Sequence, residues 1–152
     1  MKLIAVLSLL IGVCFFIELK NEIAPLDGTW ELQTGMIIKN NDTIVTNYTK
    51  GQRLVKIINK SHFSFLRHDL NKGKDSSAVF VAGGGSYSYD GTTYKEYLEF
   101  CTSRSWEGNE FSFQVEIQND TLIQTGLEKN DEIGVNQEII ETYVRIKKLN
   151  YN

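Results

Sequence analysis

Proline occurs once in this 152-residue chain, at Pro25, and is absent from every position after it. No proline-rich linker divides the rest of the chain, and no ring interrupts a strand ladder there. Cysteine is nearly as scarce. Of the two cysteines, Cys14 lies in an apolar leader and Cys101 stands alone, so no disulfide can form within the exported part. Histidine occurs only at His62 and His68. On one strand these two would sit ~20 Å apart, too far to share a metal ion. Basic charge is not in excess either: the formal net charge is −3, and no basic patch invites a nucleic acid.

Catalytic arrangements are missing as well. No serine sits at a strand-to-helix elbow, and Cys101 has no base beside it. Glu96 and Glu99 are three apart and would face opposite sides of a strand, which removes a two-carboxylate glycosidase pair. The triple glycine Gly83-Gly84-Gly85 does not lead into a helix, so it reads as a bend or bulge rather than a phosphate loop. Asp69 beside His68 reads as a turn residue. The sequence therefore points to no enzyme, no metal and no cofactor.

Long hydrophobic runs are confined to the start. Lys2 precedes an uncharged stretch from Leu3 to Ile17, closed by Glu18. Its ~22 Å of helix falls short of a ~30 Å hydrocarbon core, which favours an export signal over a membrane span. Residues 1–24 are expected to be a signal peptide or N-terminal anchor. Lipidation at Cys14 is a weaker alternative, because Val13 before it is not small. The expected location is periplasmic, secreted or surface-attached in a bacterium, with membrane contact only through an uncleaved or lipidated N-terminal segment. Removing residues 1–24 leaves the charge at −3, since Lys2 and Lys20 cancel Glu18 and Glu22. Asn41, Asn47, Asn59 and Asn119 match the glycosylation acceptor pattern, which has meaning only in a eukaryotic secretory route.

What remains is a succession of short alternating runs broken by polar turns. Strands are expected near 28–38, 43–49, 52–59, 61–68, 78–89, 93–102, 110–118, 121–127 and 137–148. Asp90-Gly91 is the strongest hairpin signal and predicts a type I′ turn. Eight or nine strands in a meander close on themselves to remove their edges, which gives an all-β, up-and-down antiparallel barrel over residues 27–152. A two-sheet sandwich is the rival arrangement.

Leu26-Asp27-Gly28-Thr29-Trp30-Glu31-Leu32 resembles the Gly-x-Trp opening of the calycin group, which includes the lipocalins. In that group an Arg from the last strand crosses the Trp face, and Thr142-Tyr143-Val144-Arg145-Ile146 supplies one. Ser61 to Phe65, Ala82 to Tyr97, Asn119 to Leu122 and Thr125-Gly126 follow an order similar to small bacterial lipocalin-like domains. The resemblance implies a lipocalin-like barrel of eight strands, with Gly28, Trp30 and Arg145 closing one end. It implies no catalytic residues. The later lipocalin loop motifs and disulfide are missing, so no ligand class comes with it.

Period-two alternation gives the functional expectation. Phe63, Phe65 and Arg67 share one face, as do Tyr94, Glu96, Leu98 and Phe100, with Tyr87 and Tyr89 on the strand between. Were these faces inward, Arg67 and Glu96 would either anchor a small, partly apolar ligand or neutralise each other. The competing picture is a solid scaffold displaying a patch around Tyr48, Trp106 or Tyr151.

Overall fold

The computed structural model describes residues 26–147. The leader at 1–24, with Cys14, and the chain end with Tyr151 lie outside the described residues. Nine strands run in chain order: β1 (Gly28–Lys39), β2 (Asp42–Asn47), β3 (Gln52–Ile58), β4 (His62–Asp69), β5 (Phe80–Tyr89), β6 (Thr93–Cys101), β7 (Glu110–Gln118), β8 (Thr121–Asn130) and β9 (Val135–Arg145). All neighbours are antiparallel, and β9 pairs back onto β1, so eight strands close a barrel. β2 is the extra strand. It pairs only with the second half of β1, whose first half pairs with β3. The sandwich arrangement is thereby excluded: one continuous ladder returns to its own first strand.

The turns differ from expectation in a specific way. The hairpin at Asp90-Gly91 forms, but only Gly91 has positive φ, at 108°. The Asp90 carboxylate instead accepts hydrogen bonds from the Thr92 and Thr93 amides at 2.9 and 2.7 Å, an Asx-type turn that needs no left-handed residue at Asp90. Two consecutive left-handed residues occur instead at Asn40-Asn41, with φ of 52° and 66°, between β1 and β2, and at Lys72-Gly73, with φ of 58° and 67°, between β4 and β5. Asp69, expected to be a turn residue, is instead the last residue of β4. Its carboxylate accepts from the Gly73 and Val79 amides and so ties down the β4–β5 connection.

One end of the barrel is sealed. Trp30 is fully buried and donates its indole N–H to the Leu26 carbonyl at 2.9 Å. The Arg145 guanidinium lies 3.9 Å from the Trp30 ring centre and donates to the Asp27 carbonyl at 2.7 Å. A side chain at position 28 would collide with that guanidinium, which accounts for Gly28. Above this floor pack Ile58, Phe63, Tyr94, Leu122 and Tyr143.

The inward faces carry one correction. Register slips between Gly84 and Gly85, because Gly84 faces Phe100 while Gly85 faces Leu98. The extra residue, Glu99, is a β-bulge, and it turns Phe100 to the outside, where it is 67% exposed. Cys101 takes the inward place instead. A Cβ on Gly85 would run into the Tyr97 carbonyl oxygen, so the bulge and the glycine require each other. The displaced Glu99 carboxylate accepts from the Ser86 amide and hydroxyl at 2.8 and 2.6 Å.

Candidate functional site

Between the sealed floor and the opposite end lies a cavity of about 290 Å³. Leu54, Phe65, Val81, Leu98, Phe111 and Phe113 give it apolar walls, with Cys101, Trp106 and the Tyr143 ring completing them. Ser103, between β6 and β7, also lines it, as do six polar side chains from the strands: Lys56, Arg67, Glu96, Gln124, Glu128 and Glu141. Each is inward by the alternation of its own strand. Lys56 follows Leu54 on β3, Gln124 and Glu128 follow Leu122 on β8, and Glu141 lies between Ile139 and Tyr143 on β9.

Two of the charges neutralise each other. Lys56 Nζ lies 2.8 Å from Glu96 Oε1 and 3.0 Å from Gln124 Oε1, with both ionic residues buried. Three rings surround the ammonium: Phe63, Tyr94 and Tyr143, with centres at 5.9, 5.5 and 5.3 Å. A cation among ring faces beside a carboxylate recovers part of its lost hydration. The Tyr94 hydroxyl nearby is buried with no hydrogen-bond partner among the described residues. Burial first, and the Glu96 charge second, push its ionisation far up.

Arg67 is placed differently. Its Nε donates to Gln52 Oε1 at 2.8 Å, and its guanidinium lies 5.3 Å from the centre of the Tyr48 ring. Among the described residues no carboxylate forms an ion pair with it. The two expected readings of Arg67 and Glu96 are thus separated by the structure: Glu96 is neutralised by Lys56, not by Arg67.

On the far wall, Glu128 accepts from Gln137 Nε2 at 2.8 Å and Glu141 from the Tyr143 hydroxyl at 2.6 Å. Both are partly exposed, to the cavity, although protein surrounds them. Burial, reinforced by the Glu141 and Glu96 charges, pushes the Glu128 carboxyl up to about 7 despite the Gln137 hydrogen bond. Glu141 is raised too, chiefly by burial, with Lys56 and Tyr143 opposing.

Of the residues singled out from the sequence, Phe65, Arg67, Glu96 and Leu98 line this cavity. Phe63 and Tyr94 instead pack in the layer towards the floor, edge to face at 6.3 Å, and Tyr87 joins Tyr94 at 5.3 Å. The Tyr87 hydroxyl donates to the Asn59 carbonyl and the Tyr89 hydroxyl to the Gly91 carbonyl, so both are tied to turns. Phe100 faces solvent. Tyr48 and Trp106, expected on a display patch, pack against the core instead, and Trp106 is a cavity wall. Sequence reasoning missed Lys56, Gln124, Glu128 and Glu141. A signal was present for Lys56, which shares its parity with Leu54 and Ile58, and for Glu141, which shares it with Ile139 and Tyr143, but not on β8, where Ile123 and Leu127 favour the other face.

Comparison with protein-family models, curated proteins and solved structures yields no match. The site is therefore read from its own residues.

Proposed function

We propose that this is an exported, lipocalin-like binding protein that holds a small, partly apolar molecule inside its barrel. The cavity is the observation that carries this reading. A closed barrel of eight strands can fill its interior with side chains, yet here about 290 Å³ is left open at one end. That volume stands at the lower edge of the ~300–1,000 Å³ range of small-molecule pockets. The aromatic and aliphatic walls suit an apolar body, and the few convergent polar groups suit a polar head. Arg67, with no carboxylate paired to it among the described residues, is the available cation for an anionic or hydrogen-bonding acceptor. Trp30 and Arg145 close the opposite end and take no part in recognition. The Gly-x-Trp opening and the apolar leader support the lipocalin-like and export parts of the proposal.

Native mass spectrometry of protein recovered from its own exporting cells tests the reading. A retained small molecule, lost on substitution of Arg67 by Ala with the fold intact, is the expected result. A bare mass, even after incubation with metabolite and lipid extracts, contradicts it. The rival, a solid scaffold, is disfavoured by the cavity and by the inward packing of Trp106.

A further inference from the structure

Resting on the binding reading above, we propose that the Glu128 carboxylate holds an ammonium group, with Glu141, four residues along the β8–β9 ladder, adding negative charge to the same cavity. The cavity then selects a small amine or amino acid with an apolar body. The argument begins with charge inside the cavity. Lys56 and Glu96 cancel as a hydrogen-bonded pair. Of the lining charges that remain, Arg67 is positive while Glu128 and Glu141 are negative, so the interior is one cation short. Neither carboxylate has a basic side chain within ion-pair distance among the described residues. Among the described residues, their side-chain hydrogen bonds come from the neutral donors Gln137 and Tyr143.

The missing positive charge can be a proton or a ligand. The high ionisation of Glu128, near 7, means that a proton supplies it at acidic pH. An ammonium would take the same place at higher pH and release that proton. The surrounding walls suit this exchange. Phe65, Trp106, Phe111 and Phe113 present aromatic surface, which attracts a cation as well as an apolar body. The groups that act on Glu128 are Glu141 and Gln137 on β9, Glu96 on β6 and Lys56 on β3. Its charge is felt in turn by Tyr48, between β2 and β3, whose ring carries the Arg67 guanidinium. β4 and β8 lie diametrically opposite in the ring of eight strands, so Arg67 and Glu128 come from facing walls. An amino acid would set its carboxylate towards Arg67 and its ammonium towards Glu128, whereas a simple amine would use Glu128 alone.

Calorimetric titration of the purified protein with four probes of one shape tests this: phenethylamine, phenylalanine, 2-phenylethanol and 3-phenylpropanoate. At pH 8 at least one of the two ammonium probes should bind about tenfold or more tighter than the neutral alcohol. That advantage should shrink by about tenfold at pH 6, where Glu128 is mostly protonated. At pH 7 ammonium binding should release protons, read from buffers of different ionisation enthalpy. Glu128→Gln should remove most of the preference, Glu141→Gln should weaken it, and Glu138→Gln on the outer face should leave it intact. The relative affinity of phenethylamine and phenylalanine tells whether Arg67 joins in. Equal binding of the alcohol and the ammonium probes overturns the ammonium site and leaves the binding reading standing. Preference for 3-phenylpropanoate with proton uptake overturns it in favour of an anion site at Arg67. Should no probe bind while native mass spectrometry still finds a retained molecule, that molecule's lack of an amine overturns it. The pH profile of the unmodified protein keeps the test valid should either variant fail to fold.

Discussion

Substituting Lys56 by Met removes one charge from the barrel interior and keeps most of the apolar stem that packs among Phe63, Tyr94 and Tyr143. Lys56 and Glu96 are 5% and 7% exposed, so water cannot take over the role of the missing partner without entering the core. Breaking a buried pair on one side costs about 3–5 kcal/mol, because the remaining charge is left uncompensated. The loss of the Gln124 hydrogen bond, 3.0 Å in the intact protein, adds to this. At about 4 °C per kcal/mol for a domain of this size, the midpoint of thermal unfolding should fall by about 12–20 °C. Replacing both partners, Lys56→Met with Glu96→Leu, should recover most of the stability or exceed it. Urea unfolding followed by far-ultraviolet circular dichroism at pH 8 compares both variants with the unmodified protein. A single-variant loss below about 1 kcal/mol at pH 8, or a double variant no better than the single, refutes the assignment of a buried, mutually dependent pair.

Glu128→Gln should flatten the pH dependence of stability. A carboxyl raised to about 7 in the folded state favours folding fully below its unfolded value near 4.5, and this contribution disappears as pH rises through 7. The effect is at most about 3 kcal/mol, and urea midpoints between pH 5 and pH 8 show whether the variant lacks it. Trp30→Ala should cost about 3–5 kcal/mol by emptying the barrel floor, whereas Arg145→Ala should cost about 1–2 kcal/mol from the lost ring contact. Thermal melts rank the two, and the opposite order contradicts the account of the floor. Gly85→Ala should destabilise by about 1–3 kcal/mol or more, since its Cβ meets the Tyr97 carbonyl. A neutral effect there would mean that the bulge at Glu99 can slide.

Much of the architecture was legible because strand periodicity is a local property. Phe63, Phe65 and Arg67 share an inward face as alternation requires, and Trp30 meets Arg145 directly across the β1–β9 ladder. Phe100 was misplaced because a bulge adds one residue and reverses parity beyond it, and nothing in Leu98-Glu99-Phe100 announces that event. The partner of Glu96 was hidden for another reason. Lys56 lies 40 residues from Glu96 and 68 from Gln124, so only the closed ring brings them together. On β8 the hydropathy pattern points the wrong way. Ile123 and Leu127 are 39% and 52% exposed, while Gln124 is buried and Glu128 lines the cavity. A strand with apolar residues outside and polar ones inside reads from sequence as its own mirror image. Polar residues on the inner face supply the charged part of the proposed site, so alternation on β8 concealed what the proposal most depends on.

The two tryptophans give the most direct test of a ligand-holding interior. Trp30 is sealed in the floor with its indole N–H bonded to Leu26, and Trp106 is a wall of the cavity. Protein labelled with ¹⁵N in its native cells should show two indole N–H signals, assigned with Trp106→Phe. Unfolding, extraction and refolding should move the Trp106 signal and leave that of Trp30 in place. Returning the extract should restore the original spectrum. Spectra that are identical before and after stripping, and unchanged by the extract, contradict the claim that this barrel carries a molecule in its cavity.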